Sequence, residues 1–344
     1  MKNRTPWYLA GSFLILLLLA VWALYVGVYR FEEPSLVKVL ASLLRGDSSV
    51  PATDAYILGT IRLPRVVMAV LVGSVLAVAG TSLQGIFKNP LATPDLIGVT
   101  AGATLMAAFT IVLGEPVRAL LPEALHFSMV SIGAFLGALA AIALVYLIAS
   151  GNGRTNVVIM LLAGVALSSL GFSVVGFLTY MAKDDQLRDL TFWNLGSLGA
   201  ASWVKNGILL VVMVFSYSFL LTKGKALNAL MLGEKDAAHL GIHVERIKRM
   251  TIVLSALLVG TAVAFSGNIG FVGLIIPYIL RLLFSSNYTI ILPLSAVWGG
   301  ILLLVADTFS RTVVAPAELP IGILTALLGA PVFIAILVRH KKMM

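Results

Sequence analysis

The sequence predicts an all-α integral membrane protein with about ten transmembrane helices. Of its 344 residues, 60% are hydrophobic and 11% are charged, against roughly a quarter charged in a soluble domain. The apolar residues fall in runs of about 20, the length that an α-helix needs to cross the hydrocarbon core. Such runs are expected to be helical because, inside lipid, each backbone N–H and C=O group must be paired within its own segment.

The first apolar run, from Trp7 to about Val28, follows a basic start that holds Lys2 and Arg4. It is longer than a signal-peptide core and has no small-x-small cleavage site, so we expect it to be a retained span. The break at 266–270 separates the seventh and eighth spans, and a single kinked helix there would give nine spans. The nine later apolar runs cover residues 64–87, 96–113, 127–149, 157–181, 203–222, 250–266, 270–285, 289–310 and 319–338.

Lysine and arginine predict the orientation, because they accumulate in cytoplasmic segments. With ten spans and an internal N-terminus, most of the 24 Lys and Arg residues fall in inner segments and most of the 15 acidic residues in outer ones. Both termini are therefore expected in the cytoplasm. Asp95 is among the few acidic residues that this count places in an inner segment. The net charge of +9 lies in the loops, so lipid headgroups and partner proteins, rather than nucleic acid, are the expected counter-charges.

Two loops are long enough to have a role of their own. The external loop, at about 29–61, carries mixed charge and is expected to be partly helical on the membrane surface. The inner loop, at about 223–249, contains a short amphipathic helix pattern over 227–242 that ends in a glycine stop. A helix of that kind can fit a groove on a soluble partner and pass rigid-body motion to the spans; an ordinary solvated connector is the alternative.

The most distinctive stretch begins at Arg62-Leu63-Pro64-Arg65 and continues through the small-residue run 73–80 to Asn89-Pro90-Leu91-Ala92-Thr93-Pro94-Asp95-Leu96-Ile97-Gly98. Small residues allow close packing among neighbouring helices, and two prolines enforce a non-helical turn at the inner face. Together with motifs at 162–167, 192–199, 270–277, 318–322 and 329–333, this stretch resembles the FecCD-type family of ABC-importer permeases.

That resemblance implies an ABC type II importer permease, with residues 1–344 forming one transmembrane permease domain of ten spans. It implies a multi-pass protein of the bacterial cytoplasmic (inner) membrane. Its expected partners are two ATPase subunits, an extracytoplasmic substrate-binding protein and a second permease, as a homodimer or a related heterodimer. The cargo of the family includes haem, ferric siderophores and cobalamin.

The resemblance also assigns residues to the two partner surfaces. Arg62, Arg65 and Arg311 match arginines that dock the binding protein through charge-assisted pairs. From the residues alone, the first two could instead snorkel to the interface, and Arg311 could neutralise Asp307 at i, i+4 spacing. The acid-Ala-Ala step before a glycine resembles the ATPase-coupling segment, which here consists of Gly233, Glu234, Asp236, Ala237, Ala238 and Gly241.

Phe192 and Trp193 precede the sixth span on its outer side. They could form part of an aromatic belt or a lip of the substrate entrance. His239 and His243 are four residues apart, but the intervening Gly241 argues against a metal site on one helical face. We therefore predict no metal site, and the absence of cysteine excludes disulfides and thiolate ligands.

The chain lacks the phosphate loop of an ATPase. Its only Gly-Lys pair, Gly224-Lys225, is followed by Ala226, and Phe219 stands where the first loop glycine should be. ATP and magnesium are therefore expected on a partner ATPase, with no cofactor in this chain. The spans hold few ionisable residues near mid-membrane, which argues against an ion-coupled secondary transporter, and no nucleophile motif or acid cluster indicates an enzyme.

The sequence thus predicts a permease subunit that translocates an iron chelate, either haem or a ferric siderophore. A cobalamin permease is the alternative within the family. An ion-coupled secondary transporter is the alternative from another class.

Overall fold

All ten apolar runs are helical in the computed structural model, which describes residues 5–32, 36–45, 50–116, 122, 128–151 and 153–341. The elements are α1 (Thr5–Tyr25), α2 (Leu36–Arg45), α3 (Ala52–Tyr56), α4 (Leu63–Phe87), α5 (Val99–Leu113), α6 (Met129–Ala149), β1 (Ser150–Gly151), β2 (Arg154–Thr155), α7 (Val157–Met181), α8 (Asp184–Leu195), α9 (Trp203–Thr222), α10 (Gly224–Leu232), α11 (Glu234–His239), α12 (Val244–Ser266), α13 (Val272–Leu283), α14 (Tyr288–Ser310) and α15 (Ile321–Lys341).

Among the described residues, seven helices are long and apolar enough to cross a membrane. Three further apolar helices are shorter: α5, α13 and the Ile321–Ala335 part of α15. With 15 residues, α5 extends only about 22 Å at 1.5 Å per residue, less than the roughly 30 Å hydrocarbon core. A helix of that length crosses the hydrocarbon core only together with the chain that adjoins it.

Helix α4 is the centre of the bundle and is buried along almost its whole length. It packs against α9, α12, α13 and α14, as expected for a helix that is apolar on all sides. The closest approaches are at glycines: a side chain at Gly73 would collide with the backbone of Gly299, and one at Gly80 with the backbone of Gly273. The small residues predicted to permit close packing do so at these points.

The second span begins earlier than the sequence predicted. Instead of starting at Pro64, it continues helix α3 through a π-helical segment, Ile57–Arg62, directly into α4. Pro64 has no N–H to donate to the preceding turn, and a π-helical stretch is one way for a helix to absorb such a defect. The predicted external loop is therefore helical at α2 and over 52–62.

The break between the seventh and eighth spans is real. Helix α12 ends at Ser266, and α13 begins at Val272 after a turn in which Gly267 and Phe271 both have a φ of +67°. The inner loop differs from the single helix predicted over 227–242. It forms two short helices, α10 and α11, because Gly233 adopts a φ of +151° that is open essentially to glycine alone.

A short antiparallel hairpin, β1 and β2, joins α6 to α7, with Ser150 opposite Thr155. Helix α6 packs against both α5 and α7, and α5 also packs against α7. The 3₁₀ turn Pro94–Ile97, between α4 and α5, lies against α7. This second group of helices forms one wall of the cavity described below.

Candidate functional site

The cavity between α7 and α15 has a volume of about 880 Å³. One wall comes from the central turns of α7 and another from the first half of α15. The lining is mostly apolar and includes a few neutral polar side chains and one carboxylate. Its residues are Asp95, Leu96, Thr100, Ala101, Val165, Ser168, Ser169, Phe172, Asn194, Leu195, Asn268, Gly270, Phe271, Gly322, Ile323, Ala326, Leu327 and Ala330.

Three chain segments meet at one side of this cavity through main-chain atoms. The Ser197 N–H donates to the Ser266 carbonyl at 2.8 Å, and the Ile321 N–H donates to the Gly196 carbonyl at 3.2 Å. Side chains at Gly196, Gly267 or Gly322 would collide with backbone atoms of the adjoining segments. We call this region, residues 193–199, 266–271 and 320–322, the main-chain junction.

The cavity lies at mid-depth in the membrane layer. Its α7 residues, 165–172, occupy the centre of a helix of 25 residues, which extends about 37 Å at 1.5 Å per residue. A cavity at that depth has the position expected of a translocation path.

Asp95 does not lie in a cytoplasmic loop, where the charge count placed it. Its turn packs against Gly164 of α7, because a side chain at Gly164 would collide with the Leu96 carbonyl. Gly164 is the eighth residue of α7, about 10 Å along that helix from its start. Asp95 is therefore inside the membrane layer, where it is exposed to the cavity. The prolines predicted to make a turn do so, but deeper than expected.

Phe192 and Trp193, predicted at the substrate entrance or in an aromatic belt, lie at the end of α8. Phe192 is half exposed, and the Trp193 carbonyl accepts a hydrogen bond from the Asn268 N–H at 3.4 Å within the main-chain junction. The next two residues, Asn194 and Leu195, line the cavity. The aromatic pair is thus adjacent to the cavity wall, and an entrance role for it stays a prediction.

The three predicted docking arginines lie close together and are largely buried, with exposures of 5% for Arg62, 8% for Arg65 and 8% for Arg311. Arg65 Nε donates to Asp307 Oδ1 at 3.0 Å, and its two terminal nitrogens donate to the Glu318 carboxylate at 2.7 and 3.0 Å. This bidentate arrangement suits the planar guanidinium. Arg65 therefore links α4 to α14 and to the start of α15.

Arg62 caps the end of α1. Its Nη1 donates to the Leu24 carbonyl at 2.6 Å and to the Tyr25 carbonyl at 3.1 Å, groups that have no partner within the helix. Beyond α1, the Tyr29 hydroxyl donates to Asp54 Oδ1 at 2.7 Å. This hydrogen bond to a carboxylate, supported by burial, raises the pKa of Tyr29 to about 12, so the residue is neutral at physiological pH.

Arg311 has donor capacity that the described residues leave unused. It forms the predicted i, i+4 ion pair with Asp307, at 3.6 Å, and donates to the Ala23 carbonyl. The nitrogen that faces Asp307 Oδ2 in this ion pair is the buried Nε, which lies just beyond hydrogen-bond distance of it and has no other acceptor among the described residues. All three arginines and Glu318 line one hollow of about 210 Å³, in which the cationic groups outnumber the carboxylates.

The predicted coupling residues are all in or beside α11. Gly233 lies at its start, Ala237 is fully buried, and Glu234, Asp236 and Ala238 are on its accessible sides. Gly241 follows the helix with a φ of +78°. Apolar side chains around them are exposed: Met231 by 45%, Leu232 by 73% and Leu240 by 67%. The segment therefore presents an apolar surface beside acidic groups.

Lys248, which the sequence did not single out, connects this segment to the hairpin. Its ammonium group lies 2.8 Å from Glu234 Oε1 and 3.2 Å from Glu245 Oε1, and it donates to the Thr155 carbonyl at 3.2 Å. Glu245 also accepts a hydrogen bond from the Thr155 N–H at 2.9 Å. The Lys248 side chain is 3% exposed. We call these four residues the lysine cluster; it links α11, α12 and β2.

Sequence spacing could have suggested only part of this cluster. Glu245 and Lys248 are three residues apart on one helix, a spacing at which side chains meet. The contacts to Glu234 and Thr155 depend on the tertiary fold. The cavity position of Asp95 has the same origin, because it follows from the packing of its turn against α7.

Comparison with known proteins agrees with this architecture. The FecCD transport family matches residues 15–339. The hemin transport system permease HmuU of Yersinia pestis is 43% identical over 82% of this chain and 83% of its own. The cobalamin import permease BtuC of Halobacterium salinarum is 40% identical over 84% of this chain and 75% of its own. A solved inward-facing metal-chelate type ABC transporter matches with a TM-score of 0.84 and 32% identity, over 97% of this chain and 99% of that one.

The chain therefore belongs to the FecCD transport family and is an ABC-importer permease. Its fold is that of a multi-pass membrane permease, as predicted from its apolar runs. It is a transporter subunit and not an enzyme, and in such systems ATP hydrolysis belongs to a separate subunit.

Proposed function

We propose that this permease translocates an iron chelate, either haem or a ferric siderophore, across the bacterial cytoplasmic membrane. The observation that carries the proposal is the mid-membrane cavity of about 880 Å³ with its mainly apolar lining. Cavities that hold drug-sized ligands measure about 300–1,000 Å³. This volume suits a chelate, and a bare metal ion would need a smaller site with several charged or polar ligands.

The proposed complex contains two permeases, two ATPase subunits and an extracytoplasmic binding protein. The second permease is another copy of this chain or a related one. ATP and magnesium bind the ATPase subunits, and this chain holds no cofactor. Both of its termini and the α10–α11 segment face the cytoplasm, while the arginine hollow faces outward. ATP binding and hydrolysis then shift the permease between conformations with different affinities for cargo and partners.

The binding protein docks at the arginine hollow through a carboxylate. Supporting this proposal, the hollow is lined by three arginines and one carboxylate, and the buried Arg311 Nε has only a long ion pair with Asp307, at 3.6 Å, and no hydrogen-bond acceptor among the described residues. A buried guanidinium gains most from a charged acceptor. Arg62 and Arg65 also hold the fold together, so charge reversal there would disturb docking and folding at once.

Arg311→Gln tests docking with less structural damage. We expect binding-protein affinity for the permease complex in nanodiscs to fall about tenfold, the effect of one charge-assisted hydrogen bond, and its salt dependence to weaken. The matched control is Arg30→Gln, which changes an exposed arginine of the same external region. Wild-type affinity and salt dependence in Arg311→Gln would exclude Arg311 from the docking surface.

The ATPase subunit docks at α10 and α11. The exposed Leu232 and Leu240 supply apolar contact area, and Glu234 and Asp236 supply charge. Glu234→Lys with Asp236→Lys should reduce binding-protein-stimulated ATP hydrolysis in the reconstituted complex. Unchanged stimulation would remove this segment from the coupling surface.

Cargo identity is tested by uptake into proteoliposomes that contain the complete complex. Haem, a ferric siderophore and cobalamin are supplied separately, with ATP inside or outside the vesicles. We expect ATP-dependent accumulation of an iron chelate. Accumulation of cobalamin alone would favour the alternative suggested by the Halobacterium relative, and uptake driven by an ion gradient without ATP would indicate a secondary transporter.

A further inference from the structure

Asp95 places a carboxyl group in a membrane-embedded cavity whose other lining residues are neutral. Among the described residues that line the cavity, it is the only ionisable one. The polar side chains that share the wall, Thr100, Ser168, Ser169, Asn194 and Asn268, are all uncharged. Ionisable residues inside a membrane are costly, and those that persist usually face an aqueous cavity and act on its contents.

The carboxylate of Asp95 is only partly satisfied by the protein. Thr100 Oγ1 donates to its Oδ1, and none of the ion pairs formed by the described residues includes Asp95. The residue is nevertheless exposed to the cavity and also borders a smaller cavity beside it. Its position is fixed, because the turn that carries it is bounded by Pro94 and packs against Gly164.

We propose that Asp95 selects cargo by charge, favouring chelates that present an ammonium or another hydrogen-bond donor over chelates that carry carboxylates. A fixed negative charge in a low-dielectric cavity attracts cations and donors and repels anions. This inference rests on the proposed transport of an iron chelate and narrows it. It favours neutral or cationic ferric siderophores, such as trihydroxamates with a free amine, over haem with its two carboxylates.

The test uses two iron chelates of nearly the same size and opposite charge. One is a linear ferric trihydroxamate with a free terminal ammonium; the other is the same complex with that amine succinylated to a carboxylate. Uptake of each is measured in proteoliposomes with the complete complex and saturating binding protein. The two uptake rates are expressed as a ratio. Since every permease variant is measured with the same binding protein, a change in this ratio comes from the permease.

We expect the wild-type complex to prefer the ammonium form and Asp95→Asn to reduce that preference about tenfold, as for the loss of one charge-assisted interaction. Asn194→Asp adds a carboxylate to the same cavity and should increase the preference. Co-purification with the ATPase subunits shows that each variant is folded and assembled. A gain in one variant and a loss in the other could not arise from general damage.

Two outcomes separate failure of this inference from failure of the proposed function. If both trihydroxamates are transported and Asp95→Asn leaves their relative rates unchanged, or if haem is transported and neither trihydroxamate is, charge selection by Asp95 is wrong, while iron-chelate transport stands. If no iron chelate is transported and cobalamin is, the proposed cargo is wrong, and the inference falls with it.

Discussion

At the level of single residues, buried charge is concentrated around the hollow lined by Arg62, Arg65, Arg311 and Glu318. The Asp307 carboxylate is fully buried between two guanidinium groups, from Arg65 and Arg311. Only the Arg311 contact was visible in the sequence, as an i, i+4 spacing. The shorter contact comes from Arg65, 242 residues away along the chain. Removing the shared carboxylate would leave both cations without their common partner.

We expect Asp307→Ala to destabilise the protein by about 3–5 kcal/mol, the usual result of leaving buried charges without a partner. Thermal unfolding in detergent would measure the loss. Glu318→Gln is the matched control, since Glu318 also pairs with Arg65 but its side chain is 47% exposed, and exposed ion pairs contribute about 1 kcal/mol or less. Equal losses of stability in Asp307→Ala and Glu318→Gln would show that the burial of Asp307 does not determine how much it stabilises the fold.

Lys248, at the centre of the lysine cluster, is expected to couple ATP hydrolysis to transport. Lys248→Met should leave ATP hydrolysis in the complex largely intact but lower cargo uptake about 5- to 150-fold, the range of a coupling free energy of 1–3 kcal/mol. The reason is that Lys248 links α11, where we propose that the ATPase subunit docks, to the hairpin that leads into α7. ATP hydrolysis and uptake are measured in the same proteoliposomes.

Lys235→Met serves as the control for that experiment, because Lys235 is an exposed lysine of α11, the helix to which Lys248 is linked. Lys248→Arg keeps the charge and should recover part of the uptake. If Lys248→Met loses uptake and ATP hydrolysis in parallel, the cluster supports assembly of the complex and does not transmit motion to the cavity wall.

At the level of elements, close helix contacts depend on glycine pairs. Gly73 of α4 and Gly299 of α14 face each other so closely that a side chain on either would meet the other's backbone. Apolar helices in lipid gain little from the hydrophobic effect on associating, so such close packing supplies much of their attraction.

Gly73→Leu should therefore force the two helices apart and cost about 1–3 kcal/mol or more. Thermal unfolding and the yield of folded protein in detergent would report the effect. Gly176→Leu is the control, because a side chain at Gly176 would have open space around it. Similar stability of the two variants would contradict the importance of the α4–α14 contact.

Much of the element order was predictable, since each of the ten apolar runs contains a helix. Local sequence patterns did not predict two features of the observed helices. The helix around Pro64 continues upstream to Ala52, which depends on a π-helical segment that no periodicity reveals. The coupling segment divides at Gly233 because of its backbone conformation, and a glycine in an amphipathic pattern is equally compatible with a continuous helix.

The candidate site was predictable in kind but not in arrangement. The docking and coupling residues came from motif resemblance, and those of the first group do lie around one hollow. Asp95 and Lys248 were not recognised, because their roles depend on neighbours distant in sequence: Gly164 for the turn of Asp95, and Glu234 and Thr155 for Lys248. Positive charge counting also assigned Asp95 to the wrong depth, since it treats every segment between apolar runs as a surface loop.

At the scale of the whole molecule, the proposed orientation makes a direct prediction. The chain contains no cysteine, so single introduced cysteines are unambiguous reporters. In right-side-out vesicles, a membrane-impermeant maleimide should label Arg30→Cys in intact vesicles and Lys235→Cys only after permeabilisation. Both positions are exposed in this chain. The opposite labelling pattern would reverse the assignment of the two docking surfaces and, with it, the direction of transport.

The main-chain junction beside the cavity allows the side chains that line the cavity to change while the wall itself is kept. Hydrogen bonds such as Ser197 N–H to the Ser266 carbonyl and Ile321 N–H to the Gly196 carbonyl hold the wall without depending on the identity of the neighbouring side chains. Asn194 and Asn268 can therefore be exchanged with little effect on the scaffold that carries them. A transporter built in this way can acquire a new cargo through a few lining substitutions, which makes these positions the natural targets for engineering its selectivity.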